Sequence, residues 1–318
     1  MNVVVTGGLG FIGSVVVEQF TKQLGVEVSV VDDGRAPSVG FDELPGARRY
    51  LAIPAANAAE LLGSPTLPAD LVVHCASPVG AVGVLDQYGK IGEQIVGTTA
   101  ALAEGCLRSG ARLINLSTSE AYGFSGDYQE SDDCIVPARR NARMEYGAAK
   151  LVAEFAVTGA VSRGLRAITI RPFNVAGARQ DNEKGFVLPT FVGRALLGLP
   201  LPVFGTGEQE RAFTAVGDLA DFIVGTHLAE ADWQGEVYNV GNPINRVPIR
   251  VLARRVIELT GSESSIEYTT GREFFGRPDY EEALGHIKTP IIDEARSLGW
   301  QPRTNLDDLI RSVIADLQ

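Results

Sequence analysis

Short apolar, β-branched runs alternate with longer stretches of helical period through the first half of the chain. Val3–Thr6, Val26–Asp32, Leu71–Cys75, Leu113–Ser117 and Ala167–Arg171 read as strands buried on both faces of a parallel sheet. Between them, Gly13–Leu24, Gly97–Ser109 and Tyr146–Arg163 have the length and period of covering helices. This pattern predicts an α/β chain with a doubly wound parallel sheet. Past about residue 172 the rhythm breaks at Pro189, Pro200, Pro202, Gly205, Gly207, Pro243 and Pro248, with helical stretches near Phe191–Leu197, Leu219–Ala229 and Ile249–Thr260. The expected division is a first α/β domain over 1–172, to which segments around 205–242 return, and a smaller, interleaved C-terminal α/β lobe over most of 173–318.

Directly after the first strand, Thr6-Gly7-Gly8-Leu9-Gly10-Phe11-Ile12-Gly13 opens a helix. Glycines there let the backbone turn tightly against a pyrophosphate, whose charge sits at the helix N-terminus. The plain alternative is a glycine-rich turn, but the second strand ends about 20 residues on at Asp32-Asp33, where a carboxylate accepts from adenosine ribose hydroxyls and repels a 2′-phosphate. The expectation is a Rossmann domain that binds NAD in preference to NADP. Arg35 stands near enough to keep a 2′-phosphate role open.

Charge and composition narrow the partners. The 28 Lys and Arg against 39 Asp and Glu give a net charge of −11, which repels nucleic-acid backbones and acidic membranes. The apolar runs are too short to span a bilayer. Cys75, Cys106 and Cys134 suit neither a disulfide framework nor a metal cluster, and with no export signal at Met1-Asn2-Val3 a cytoplasmic location is expected. His74, His227 and His286 are widely separated, so no metal is expected. A G-x-S-x-G nucleophile elbow is also lacking, against a hydrolase.

The fourth strand runs into Asn115-Leu116-Ser117-Thr118-Ser119-Glu120-Ala121-Tyr122-Gly123, placing hydroxyls and a carboxylate at the sheet end where open α/β folds bind ligands. Further on, Tyr146-Gly147-Ala148-Ala149-Lys150 puts a phenol and an ammonium on one helix face. Strand-end polarity and a solvated lysine are the ordinary alternatives for each alone. Together, the ammonium is expected to draw the phenol's pKa down from about 10, suiting it to acid–base work on an alcohol.

These residues in this order resemble the extended short-chain dehydrogenase/reductases. The resemblance continues through Arg171-Pro172-Phe173-Asn174-Val175-Ala176-Gly177, Gln209-Glu210-Arg211-Ala212-Phe213-Thr214 with Asp218, Arg277-Pro278 and Leu298-Gly299-Trp300-Gln301-Pro302, marks of the branch of nucleotide-sugar epimerases, dehydratases and decarboxylases. It implies an NAD-dependent enzyme acting on a nucleotide sugar through a 4-keto intermediate. Gly7, Gly10, Phe11, Ile12, Gly13, Asp32, Asp33, Ile53, Ala76, Tyr146 and Lys150 would hold the cofactor. Thr118, Ser119, Glu120, Tyr146 and Lys150 would be catalytic. Ser77, Arg143, Asn174, Val187, Leu188, Phe204, Arg211 and Arg277 would bind substrate, with Arg211 and Arg277 on the diphosphate and Val187, Leu188 and Phe204 around the nucleobase. A homodimer pairing helices 97–109 and 146–163 is implied as well.

Thr118-Ser119-Glu120 is similar to UDP-glucuronate decarboxylases, whereas 4,6-dehydratases carry Thr-Asp-Glu and plain 4-epimerases usually lack the carboxylate. His74-Cys75-Ala76-Ser77-Pro78 and Arg143 point the same way. One departure cuts against it: Ile287, after His286, stands where bacterial decarboxylases of lipid A modification carry an arginine near the sugar. Ala52-Ile53 and Gln94 also depart from the usual residues around the adenine side. The 4-epimerase, C5-epimerase and 4,6-dehydratase readings stay open, as does a non-catalytic NAD sensor, which the retained Tyr146 and Lys150 disfavour.

Overall fold

The computed structural model describes residues 1–80, 82–123, 126–138, 140–182, 184–280 and 287–318. Seven parallel strands form one sheet in the spatial order Gln234–Val240, Ala167–Pro172, Arg112–Leu116, Leu71–His74, Asn2–Thr6, Glu27–Val31, Ala47–Leu51. The five strands expected from the sequence are there, within a residue or so at each end. Their continuous apolar runs are explained by cover on both faces: Val3, Val4, Val5, Val72, Val73, Leu113, Ile114, Ile168 and Ile170 are fully buried or nearly so. Each such side chain removed from water contributes about 1.5–3 kcal/mol. Strand order reverses at Asn2–Thr6, with Glu27–Val31 on one side and Leu71–His74 on the other. That reversal opens a crevice above the carboxyl ends of the strands.

Two sheet strands carry weaker signals. Ala47–Leu51 (Ala-Arg-Arg-Tyr-Leu) is an edge strand with no fully buried residue, so it lacks the apolar run that marks the centre. Gln234–Val240, from the segment expected to return, forms the opposite edge beside Ala167–Pro172. Helices begin earlier than their periodicity suggested: Phe11–Thr21, Ile91–Ser109 and Ala142–Val161. Asn141 starts the last of these, its side-chain oxygen accepting from the Met144 N–H at 2.9 Å.

After residue 172 a second apolar core gathers Leu188, Phe191, Val192, Leu201, Val203, Leu252, Val256, Leu309, Ile310 and Val313. The helices Val187–Leu196, Ile249–Thr260 and Leu306–Leu317 pack around it, with strands Leu201–Phe204 and Ile266–Thr269 paired in parallel. A third arrangement matters for the site. Strand Gly126–Tyr128, just past the turn that carries Glu120, pairs in parallel with Lys288–Pro290 near the C-terminus, with Lys288 opposite Gly126. No helix among the described residues is long and apolar enough to cross a membrane.

Candidate active site

A cleft of about 1230 Å³ runs from the glycine turn, past the ends of the central strands, to the second lobe. At the turn, Gly7 has φ +68°, and a Cβ there would lie 2.7 Å from the backbone of Ala76. A Cβ on Gly13 would run into the Gly7 carbonyl. The Gly7 N–H donates to the Val31 carbonyl at 2.8 Å, so the turn is anchored to the neighbouring strand. The cradle is therefore one that only glycine backbone can form, open to a pyrophosphate at the head of Phe11–Thr21. Both oxygens of Asp32 receive backbone N–H groups, from Leu9 at 3.1 Å and Gly34 at 2.9 Å. Asp33 accepts from Arg35 Nε at 2.7 Å, and this guanidinium holds the Asp33 carboxyl below its ordinary pKa. Arg35 is thereby occupied by a carboxylate. Gly7, Gly10, Phe11, Ile12, Gly13, Asp32, Asp33 and Ala76 all line the cleft. Ile53 does not; its side chain packs into the core beneath the sheet, and Pro54 and Ala55 line the cleft in its place. With room for a dinucleotide and a second ligand, these residues fit NAD.

The hydroxyls at the fourth strand's end are set by a short 3-10 turn, Ser119–Tyr122, capped by Thr118, whose Oγ1 accepts the Glu120 N–H at 3.2 Å. Thr118, Ser119, Glu120, Arg143, Tyr146 and Lys150 meet along the cleft wall. Gly147 permits this approach, since a Cβ there would sit 2.9 Å from the Glu120 carbonyl. Lys150 Nζ donates to the Leu116 carbonyl at 2.7 Å, and burial brings its pKa down to about 8. The expected lowering of Tyr146 does not occur in the protein alone. Burial pushes the phenol up to about 12 against the opposing pull of a Thr118 hydrogen bond, and the ammonium is turned towards the strand.

Glu120 behaves in the opposite sense. Burial would raise it, but Lys288, Arg143 and Arg211 hold it down to about 2. Arg143 Nη1 reaches Oε1 at 3.4 Å, and Lys288 Nζ reaches Oε2 at 3.1 Å. Sequence reasoning placed Ile287 at this point and missed the next residue, the buried Lys288. The side chains of His286 and His227 lie outside the described part. His74 is enclosed between Thr6 Oγ1 at 2.8 Å and Thr99 Oγ1 at 3.3 Å, and burial takes its pKa down to about 3. No cluster of metal-ligating side chains is present among the described residues.

Towards the second lobe, Ser77, Asn174, Val187, Leu188, Phe204 and Arg211 line the cleft. Asn174 sits at φ +39° with Nδ2 donating to the Ala212 carbonyl at 3.2 Å. Arg211 lies close enough to Glu120 and Arg143 for their charges to act on it, so it serves the middle of the cleft. Arg277 is a correction: its guanidinium is tied to Asp279 at 2.9 Å and Asp86 at 2.8 Å, outside the cleft lining. Arg272, on the short helix Gly271–Phe275, lines the cleft instead and donates to the Tyr280 carbonyl at 2.9 Å. Beside it, Phe204, Phe274, Phe275 and Tyr280 form an aromatic wall with ring centroids 4.9–6.0 Å apart.

Comparison with known proteins agrees with this geometry. UDP-N-acetyl-alpha-D-glucosaminuronate decarboxylase of Bacillus cytotoxicus is 30% identical over 316 residues, covering 98% of this chain and 95% of the relative. UDP-glucuronic acid decarboxylase 2 of Arabidopsis thaliana is 30% identical over 330 residues, covering 100% of this chain and 68% of the relative. In fold, the chain is similar to the UDP-glucuronic acid 4-epimerase of Bacillus cereus, solved with UDP-glucuronic acid and NAD, at a TM-score of 0.83 and 23% identity over 100% of this chain and 99% of that one. The NAD dependent epimerase/dehydratase family model matches residues 3–241, from the first strand of the sheet to the end of its last. A match of that extent, over a sheet that opens on this glycine cradle, makes the chain a member of the NAD-dependent epimerase/dehydratase family.

Proposed function

We propose that the protein is an NAD-dependent enzyme of nucleotide-sugar metabolism that decarboxylates a UDP-linked uronic acid through its 4-keto form. The observation that carries this reading is the charge at the centre of the cleft, where Arg143 and Arg211 face a single carboxylate, Glu120. Guanidinium forks are suited to bidentate binding of a second carboxylate, such as the C6 group of a uronic acid. The decarboxylase relatives act on, by their names, UDP-linked sugar acids.

NAD, held by the glycine cradle and Asp32, would supply the acceptor for the C4 hydride and give that hydride back at the end of the cycle. Tyr146 and Thr118, side by side on the cleft wall, hold and move the proton at the sugar O4. Lys150 anchors the strand end beneath them. Oxidation at C4 makes the sugar a β-keto acid. When the C5–C6 bond breaks, its electron pair passes to the C4 carbonyl oxygen, and carbon dioxide leaves. C5 is then protonated, the hydride taken from C4 would be returned to it, and Tyr146 gives O4 back its proton, so the alcohol is restored with no net change of oxidation state in the cofactor. Arg143 and Arg211 orient the departing carboxylate, and the aromatic wall around Phe204 receives the nucleobase end. Residues 173–318 thus supply most of the substrate lobe.

A second reading rests on Glu120. Held as a carboxylate, it is a base that can take the acidified C5 proton, which favours C5 epimerisation of the same class of sugar, with 4-epimerisation available if the ketone turns over before reduction. Mass spectrometry of the protein with NAD and UDP-glucuronate in deuterated water separates these. Loss of the mass of carbon dioxide supports decarboxylation. A new chromatographic peak without loss of carbon dioxide assigns an epimerase, one mass unit heavier for C5 epimerisation and of unchanged mass for 4-epimerisation, and an unchanged substrate sends the search to other nucleotide sugars.

The helices Ile91–Ser109 and Ala142–Val161 lie side by side, and on the latter Phe155 is 67% exposed with Val152 near it in sequence and also exposed. That apolar face supports a homodimer through a four-helix interface. Three free thiols, Cys75, Cys106 and Cys134, support a reducing, cytoplasmic location.

A further inference from the structure

Lys288 is a buried charge for which the mechanism above has no task. It is 1% exposed, and Glu120 Oε2 at 3.1 Å is the only ionic partner its ammonium has among the described residues; no well-aligned hydrogen bond satisfies Nζ. An isolated buried ammonium is costly enough that such a residue neutralises or is held for a reason. The fold supplies the holding: Lys288–Pro290 pairs in parallel with Gly126–Tyr128, and Gly126 N–H donates to the Ile287 carbonyl at 3.0 Å. Behind that pair, Tyr122 and Tyr128 stack at 4.4 Å between centroids. The strand bearing Lys288 is therefore fastened to the segment that follows the Glu120 turn. Lys288 is absent from the cleft lining, so it meets Glu120 from behind while Arg143 meets it from the cleft side.

We infer that Lys288 is a positioning residue, a buried counter-ion that keeps Glu120 as an aimed carboxylate facing the C5–C6 region of the bound sugar. The inference adds a residue to the proposed function and rests on it only for the identity of that sugar. The other groups facing Glu120 do not duplicate the task. Arg143 and Tyr146 come from the helix Ala142–Val161 and Arg211 from Glu210–Ala212, and all three line the cleft, where an incoming carboxylate competes for the two arginines. Lys288 alone is out of the ligand's reach. Once Arg143 turns to a substrate carboxylate, Lys288 is what prevents Glu120 from taking up a proton. Burial pulls Lys288 below its ordinary value, and Glu120 pulls it back up, so the two hold each other charged.

The test needs no substrate. In protein labelled with 13C at the glutamate carboxyl, the resonance that vanishes in Glu120→Gln is assigned to Glu120 and followed against pH. In the wild type it does not titrate above pH 4. In Lys288→Met, of similar length, its midpoint rises by at least one unit, and Lys288→Arg restores the wild-type behaviour. Lys288→Gln is read in the same way if the Met variant fails to fold. An unchanged midpoint in the neutral variants overturns the inference. On a turned-over nucleotide sugar, the acid limb of kcat should move up in pH with KM nearly constant, and a change in KM alone also counts against it. The titration stands whether or not the sugar is a uronic acid, so failure of the proposed reaction leaves this result readable.

Discussion

The Glu154 carboxylate receives Arg171 through two parallel contacts, Nε to Oε1 at 3.0 Å and Nη2 to Oε2 at 2.6 Å, with both side chains buried. Ser117 Oγ also donates to Oε1, and the Arg171 guanidinium lies 4.7 Å from the Tyr122 ring centroid. Glu154 stands one turn beyond Lys150 on the same helix. A single buried pair thus ties the helix of Tyr146 and Lys150 to two central strands and to the Glu120 turn.

Removing one member leaves the other charged and uncompensated. Glu154→Gln should therefore destabilise the fold by about 3–5 kcal/mol. Urea denaturation compares it with the wild type; a difference below about 1 kcal/mol would mean the pair is dispensable.

Tyr146→Phe keeps the ring and deletes the hydroxyl on the cleft wall. Turnover should fall by roughly 10²–10⁴, the usual share of a general acid–base group. NAD binding, followed by fluorescence, should be unaltered. Full turnover in this variant would remove Tyr146 from the chemistry.

Arg35 is held by Asp33, and Asp33→Ser releases it. A freed guanidinium can take a 2′-phosphate, and one charge-assisted hydrogen bond of about 1.5–3 kcal/mol predicts a ten- to hundredfold gain in NADP affinity relative to NAD. Titration of both cofactors measures it. An unchanged ratio would show that Asp32 alone sets the preference.

His74 is buried as a neutral ring, with a pKa of about 3 against an ordinary 6.5. Below pH 6.5 the unfolded chain takes up a proton that the folded one refuses, so folding stability falls with pH at about 1.4 kcal/mol per unit until about pH 3. Between pH 7 and 5 this amounts to about 2 kcal/mol. His74→Asn should flatten that slope in denaturation curves, and an identical slope would place the acid sensitivity elsewhere.

The central strands, the glycine turn and the Tyr146–Lys150 face could be read from the sequence because each is local, fixed by period, burial or an i, i+4 spacing. Ala47–Leu51 could not, since an edge strand with two arginines has no apolar run. Lys288 was hidden because only the pairing of Gly126–Tyr128 with Lys288–Pro290 brings it to Glu120. Arg277 and Arg272 lie five positions apart, and their side-chain directions follow from a short helix and from Asp86, a residue far away in the chain. The pKa of Tyr146 likewise depends on how deeply the helix sinks against Glu120, which spacing does not encode.

The parallel pairing of Gly126–Tyr128 with Lys288–Pro290 also sets a timetable for the newborn chain. Glu120 leaves the ribosome roughly 170 residues ahead of its counter-charge, about 10–30 s at 5–20 residues per second. Five of the seven sheet strands precede Glu120, and Ala167–Pro172 and Gln234–Val240 are synthesised in that interval, before Lys288 arrives. Maturation of the site is consequently a late, C-terminal event, and a fragment ending before residue 288 should carry the cofactor cradle with Glu120 lacking that counter-charge.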